Sequence, residues 1–157
     1  MDNKATLALN GNFFRFNKEL LNIGATYSSV LVFDINNNVA FSKSSNTDWT
    51  DEFTSTGLYK DCHLLHEAEW QMALHDASFT LVWDLYNPVT EQAKNLHEIR
   101  KHKDIAHGVG FCFKNIDGSI ILLNIAGKYS DINFGLTVLK HRQQVYKSAR
   151  KLMCLSA

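Results

Sequence analysis

Two groups of residues in this chain have types and spacings that could do chemistry. In the first, Cys62, His63 and His66 set a thiol beside two imidazoles, and a cysteine with a histidine can act as nucleophile and base. Adjacent side chains on a helix point away from each other, so Cys62 and His63 make no dyad through adjacency alone. Cys62 and His66 have the four-residue spacing that puts two metal ligands on one helix face, but a closed site needs two more. His97 and Cys112 are only arithmetical additions. No Gly-rich phosphate loop, G-x-S-x-G elbow or H-E-x-x-H pair occurs, and no complete acid–base set appears. The expectation is a non-enzyme with no metal and no cofactor. His75, His97, His102, His107 and His141 are scattered and read as surface or cap residues.

The second group is aromatic. Trp49, Phe53, Tyr59, Trp70, Trp83 and Tyr86 all fall between residues 49 and 86, with Asp61 among them. Aromatic side chains dominate the buried area of any mixed domain. A ligand pocket needs the same apolar walls plus a few convergent polar groups. An indole N–H donor and a carboxylate acceptor would be such groups, and composition leaves core and pocket both open.

The elements that must position these residues follow from periodicity. Leu9, Phe13, Phe16 and Leu20 mark one face of a helix over about Asn10 to Ile23, with Gly24 at its C-terminal cap. "YSSVLVFDI" and "VAFSKSS" read as a hairpin about the turn-forming "NNN" at 36–38. Thr47 or Asp48 caps a short helix that Gly57 ends. "HLLHEAEWQMALHD" is helical, with Leu64, Ala68, Met72 and His75, or Leu65 and Met72, inward. "SFTLVWDLY" reads as a strand or an extended crossing. Asn87 as cap with Pro88 first in the helix opens the next helix; its packed side is Val89, Ala93, Leu96 and Ile99 or Arg100, and Gly108 ends it. "VGFCFKN" and "SIILLNIA" form a hairpin about Asp117-Gly118. A final helix covers about Ile132 to Leu152, with Leu136, Leu139, Val145 and Leu152 apolar. The result is an α+β domain: antiparallel hairpins in one sheet, helices on its faces.

Bulk properties agree with one domain over residues 1–157. The chain is 45% hydrophobic and 20% charged, which excludes a disordered chain. No apolar run nears the roughly 20 residues of a bilayer span, so no membrane partner is expected. Sixteen basic and sixteen acidic residues give no net field for nucleic acid. After Asp131 only basic charges follow: Lys140, Arg142, Lys147, Arg150 and Lys151, read as a solvated helix face. The N-terminus lacks the apolar core of a signal peptide. Three cysteines, an odd count without framework spacing, read as reduced thiols in the cytoplasm.

The order and spacing of these segments resemble the autoinducer-binding domain of LuxR-type quorum-sensing regulators. "SSVLVFDINNNVAFSKSSNTDW" is similar to the family's opening hairpin and signature tryptophan, and "DWTDEFTSTGLYKDC" to its Trp, Tyr and Asp-Pro pattern. "LVWD" is similar to its second tryptophan segment, and "HGVGFCFKNIDGSIILLNIAG" to its closing hairpin. The resemblance implies an α-β-α sandwich with a five-stranded, mainly antiparallel sheet. It also implies an acyl-homoserine lactone or related small signal between the sheet and one layer of helices. Carried over, Trp49 donates to the lactone carbonyl, Asp61 accepts from the ligand amide, Trp83 walls the ring, and Ser29 lies near the acyl carbonyl. Phe53 and Tyr59 complete the expected ligand-binding set.

Phe53 stands where the family has tyrosine, and Asp61 follows Trp49 by twelve residues where the family has thirteen; a strict count lands on Cys62. The family's helix-turn-helix domain, its route to DNA, is not in this chain, although Leu155-Ser156-Ala157 resembles its first residues. Three readings stay open. One is a sensor domain cut from a longer, dimeric regulator. Another is an orphan or anti-activator module that heterodimerises with a full-length regulator and binds no lactone. The third is a PAS- or GAF-like sensor of another ligand, which the first hairpin also suits.

Overall fold

The computed structural model describes residues 3–36 and 38–153. Asn37 of the first turn, Cys154, the Leu155–Ala157 segment and the side chain of Leu9 lie outside the described residues.

A five-stranded sheet forms the centre, in the order β2-β1-β5-β4-β3, with every neighbouring pair antiparallel. Its strands are β1 (Ala25–Phe33), β2 (Val39–Ser44), β3 (Phe79–Val82), β4 (His107–Lys114) and β5 (Ile120–Gly127). The expected hairpins are both present. Asp117 and Gly118 close the second one, with Gly118 at φ +88°, where a side chain would be strained. β5 lies in the middle and is covered on both faces, as its continuous apolar run requires.

Strand alternation sorts the side chains onto two faces. One face carries Val30, Phe41, Val109, Phe111, Leu123 and Ile125. Against it pack helix α1 (Asn3–Leu21) through Phe13, Phe16 and Leu20, helix α5 (Phe134–Lys140) through Phe134 and Val138, and helix α6 (Arg142–Met153) through Val145, Ala149 and Leu152. This is the main dry core. The other face carries Tyr27, Ala126 and Leu81, and meets helices α2 (Thr47–Ser55), α3 (His63–Leu74) and α4 (Glu91–His102). The architecture is the expected α-β-α sandwich. Among the described residues no helix is long and apolar enough to cross a membrane.

Several boundaries differ from the sequence reading. Helix α1 begins at Asn3 rather than Asn10, because Ala5, Leu7, Ala8 and Leu9 are strong helix formers that extend it backwards. The cap of α2 is Asn46, whose side chain accepts from the Trp49 N–H at 3.0 Å; Thr47 and Asp48 lie inside the helix. Helix α4 starts after Thr90, whose hydroxyl accepts from the Ala93 N–H at 3.1 Å, so Asn87 and Pro88 form an extended lead-in and Val89 is exposed. Helix α4 ends at His102, and Gly108 belongs to β4 instead of closing the helix. The final helix is two: His141 caps α5 by donating its backbone N–H to Thr137 and Val138, and α6 starts anew. Leu136 is consequently exposed. His75 is exposed at the end of α3 rather than inward, because its ring turns back to Gln71.

Candidate functional site

The sheet face under α2, α3 and α4 is built in rungs, since residues directly opposite on neighbouring strands share a face. The first rung is Tyr27, Ala126 and Gly108. The second crosses all five strands as Ser44, Ser29, Asn124, Gly110 and Leu81. The third includes Ser42, Leu31, Leu122 and Cys112. The middle rung is thus polar over β2, β1 and β5, and the Asn124 amide donates to Ser29 Oγ at 3.3 Å.

Above these rungs lies a cavity of about 190 Å³. Its floor is Tyr27, Ser29, Leu31, Ser44, Leu122 and Asn124; its roof includes Trp49, Phe53, Leu64, Ala68, Trp83 and Arg100. Exposed Ser42, Lys43 and Thr54 also line it, which sets its mouth between β2 and α2. The volume exceeds the roughly 150 Å³ of a cavity that holds benzene. It is below the roughly 300 Å³ at which sites for drug-sized ligands begin.

Four of the expected ligand-binding residues converge here: Trp49, Phe53, Trp83 and Ser29. Trp49 is buried where the Asn46 cap starts α2, and its ring lies 5.4 Å from Phe53. Trp83 follows the end of β3 and packs directly against Gly108, where a Cβ would sit 2.7 Å from its ring. Only glycine allows that approach. Two expected residues do not line the cavity. Tyr59 is 40% exposed and reaches only the edge of Phe53, at 6.4 Å. Asp61 is the larger correction. It is exposed on the 3-10 turn Leu58–Asp61 and borders a separate surface groove with His63 and His66. Cys62, at the strict thirteen-residue spacing, is the buried wall residue instead. An exposed carboxylate keeps its hydration, which burial would forfeit.

The sequence reading missed Arg100, Asn124, Tyr27, Cys62 and Ser44 as wall residues. Asn124 carried a signal, being the one polar side chain inside "IILLNIA". Arg100 carried another, since helical period already placed it on the packed side of α4. It is 5% exposed, with its guanidinium 5.6 Å from the Trp83 ring. Among the described residues it makes no ion pair, and its Nε and Nη2 are enclosed without a hydrogen-bond partner. Burial lowers its pKa, partly offset by Cys62 and Tyr27, yet a guanidinium remains charged at neutral pH.

The neighbouring imidazoles follow the same logic. His97 is half-buried and edge-on to His63 at 5.8 Å, not a surface residue. Burial first, then Arg100, lowers its pKa to about 4. His63 is lowered for the same two reasons, and its Nε2–H donates to the Tyr86 carbonyl at 3.1 Å. His107 is also half-buried, held by Asp84 and the Tyr129 carbonyl, each at 3.0 Å. Cys62 faces the cavity while His66 is exposed, and no three potential ligands converge on a metal position among the described residues. Burial raises the Cys112 thiol to about 11, which makes it a poor nucleophile.

No family model matches the chain, and a search of curated proteins finds no match. Solved structures do match. Escherichia coli SdiA superimposes on 94% of this chain with a TM-score of 0.64 at 15% identity. Burkholderia cenocepacia CepR2, an N-acylhomoserine lactone-dependent LuxR family transcription factor, covers 99% with a TM-score of 0.56 at 8% identity. The fold is that of the LuxR-type autoinducer-binding domain. A solution structure of SdiA residues 1–171 agrees, at 0.64 and 14% identity. SdiA has also been solved in complex with octanoyl-rac-glycerol, and that structure matches at 0.62 and 15% identity. This chain spans 62% and 60% of the two longer SdiA chains, and 94% of the CepR2 chain. At these identities the likeness is one of fold.

Proposed function

We propose that this chain is the ligand-sensing domain of a LuxR-type transcription regulator, capturing a small amphiphilic signal in the cytoplasm. The observation that carries the reading is the cavity between the sheet and α2–α4, with Trp49 and Trp83 in its walls and a polar rung beneath. SdiA in complex with octanoyl-rac-glycerol and the lactone-dependent CepR2 support a mono-acyl signal of this kind. A ligand that binds only the folded state stabilises it by RT ln(1 + [L]/Kd). Signal would then govern how much folded domain is present to dimerise, and DNA would be reached only through a separate domain. The test is a thermal melt with octanoyl-homoserine lactone and octanoyl-glycerol. A concentration-dependent rise in Tm is expected; no shift with either removes the acyl-signal reading.

One observation favours a second reading, an interaction module that binds no lactone. Asp61, the expected amide acceptor, lies outside the cavity, and among the described residues no other carboxylate lines it. Co-purification with a full-length regulator, unaffected by acyl compounds, would favour this reading.

A further inference from the structure

Arg100 reverses the expected polarity of the cavity. The resemblance implies a carboxylate inside, waiting for a ligand N–H. Among the described residues the wall instead holds the Arg100 cation and no carboxylate. The guanidinium is almost wholly buried, and two of its nitrogens have no acceptor among the described residues. Stacking on Trp83 at 5.6 Å satisfies its face but not its N–H edge. Of the groups beside it, Cys62 and Tyr27 also line or border the cavity, and His63 and His97 are held neutral at pH 7. A buried charge without acceptors is a costly arrangement, and a group that supplies both charge and acceptors is bound with a corresponding advantage.

We propose that the cavity takes a carboxylate-bearing apolar molecule, its head group paired with Arg100 at the Trp83–Tyr27 end and its chain running toward the mouth at Ser42 and Lys43. This rests on the sensing reading above and names the chemical class of its ligand. The planar fork of a guanidinium matches the two oxygens of a carboxylate. From Tyr27 to Leu31 along β1 the floor runs roughly 13 Å, and its outer rung is lined by Leu31 and Leu122. That length and a volume of about 190 Å³ suit a medium, unbranched chain rather than a long one. A neutral lactone or glyceride would fill the same apolar space but leave Arg100 unpaired. Lys43 is the other cation at the rim; it lies opposite Val30, whose face is turned to the other helical layer, and it is exposed, where pairing is weak.

The experiment is calorimetric titration of the full chain at pH 7.5 with octanoate and with its neutral isostere octanamide. Octanoate is expected to bind about tenfold tighter or better. Arg100→Met should bring the two within about twofold of each other while octanamide binding persists, which shows that the variant still folds. Lys43→Gln should keep the octanoate preference. Equal binding of the two probes by the wild-type chain overturns the proposal, as does a preference that survives Arg100→Met or follows Lys43. Stabilisation by octanoyl-homoserine lactone or octanoyl-glycerol but not octanoate overturns the head-group assignment and leaves the sensing reading standing. No binding of any of the four overturns both.

Discussion

Gly108 ties the sheet to the site, and adding one methyl group there tests the geometry. In Gly108→Ala the new Cβ would lie 2.7 Å from Cε3 of Trp83 and 2.8 Å from the Ile125 carbonyl oxygen. Carbon atoms settle about 3.5–4.0 Å apart, so the indole must retreat by roughly 1 Å. The carbonyl belongs to the central strand β5, flanked by β1 and β4, and has little freedom to move. The ring has to shift in a space that Arg100 also fills, its guanidinium 5.6 Å from the ring centre. Overpacking of this kind costs about 1–3 kcal/mol. In a domain of this length that lowers Tm by roughly 2–12 °C, at about 2–4 °C per kcal/mol. The assay is a thermal melt followed by circular dichroism, with tryptophan emission recorded on the folded protein. Loss of stability with a red-shifted emission is expected. An unchanged Tm and unchanged emission would refute the close approach of Trp83 to the sheet and, with it, the shape of the cavity roof.

Other outcomes can be read on the same samples. Asn46→Ala removes the cap of α2 and should cost about 1 kcal/mol, measured as a lower urea midpoint at unchanged slope. Asp61→Asn should change stability by less than about 0.5 kcal/mol and leave ligand stabilisation intact, whereas Trp49→Phe should weaken it. His97 titrates at about 4 when folded, below its ordinary value of 6.5, because of burial and then Arg100 and Lys101, with His63 adding a little and Glu98 opposing. The unfolded chain therefore binds the extra proton first, and stability is full above pH 6.5 and falls as the pH drops toward 4. Solvent screening at this half-buried site reduces the effect to about 1–2 kcal/mol. His97→Asn should reduce the melting curve's pH dependence over that window, with His63 still contributing in the same direction.

The sheet was legible because its signals are local. Alternation, the Asp117-Gly118 pair and the unbroken run of β5 each specify a strand or turn within a few residues. The packed face of α4 was legible for the same reason, down to Arg100. What escaped was decided across the chain. Gly108 read as a helix terminator because nothing near it announces an indole 25 positions earlier lying on top of it. Asn46, Thr47 and Asp48 are all good caps, and only the burial of Trp49 selects the register that uses Asn46. Asp61 and Cys62 differ by one step along a tight turn, and that step exchanges solvent for cavity. His107 looked like a surface residue because its partners, Asp84 and Tyr129, come from two other segments.

The central claim is that the hollow over Ser29 and Asn124 is where a small molecule binds. The most direct measurement is the Tm of the wild-type chain and of Ala68→Phe, which projects a ring into that hollow, with and without an acyl panel of octanoate, octanoyl-glycerol and octanoyl-homoserine lactone. At a hundredfold excess over Kd, at least one compound should add about 2.7 kcal/mol to the wild type, a rise of roughly 5–11 °C, and the variant should show none. The same rise in Ala68→Phe would place binding elsewhere, and no rise in the wild type with any of the three would contradict the claim.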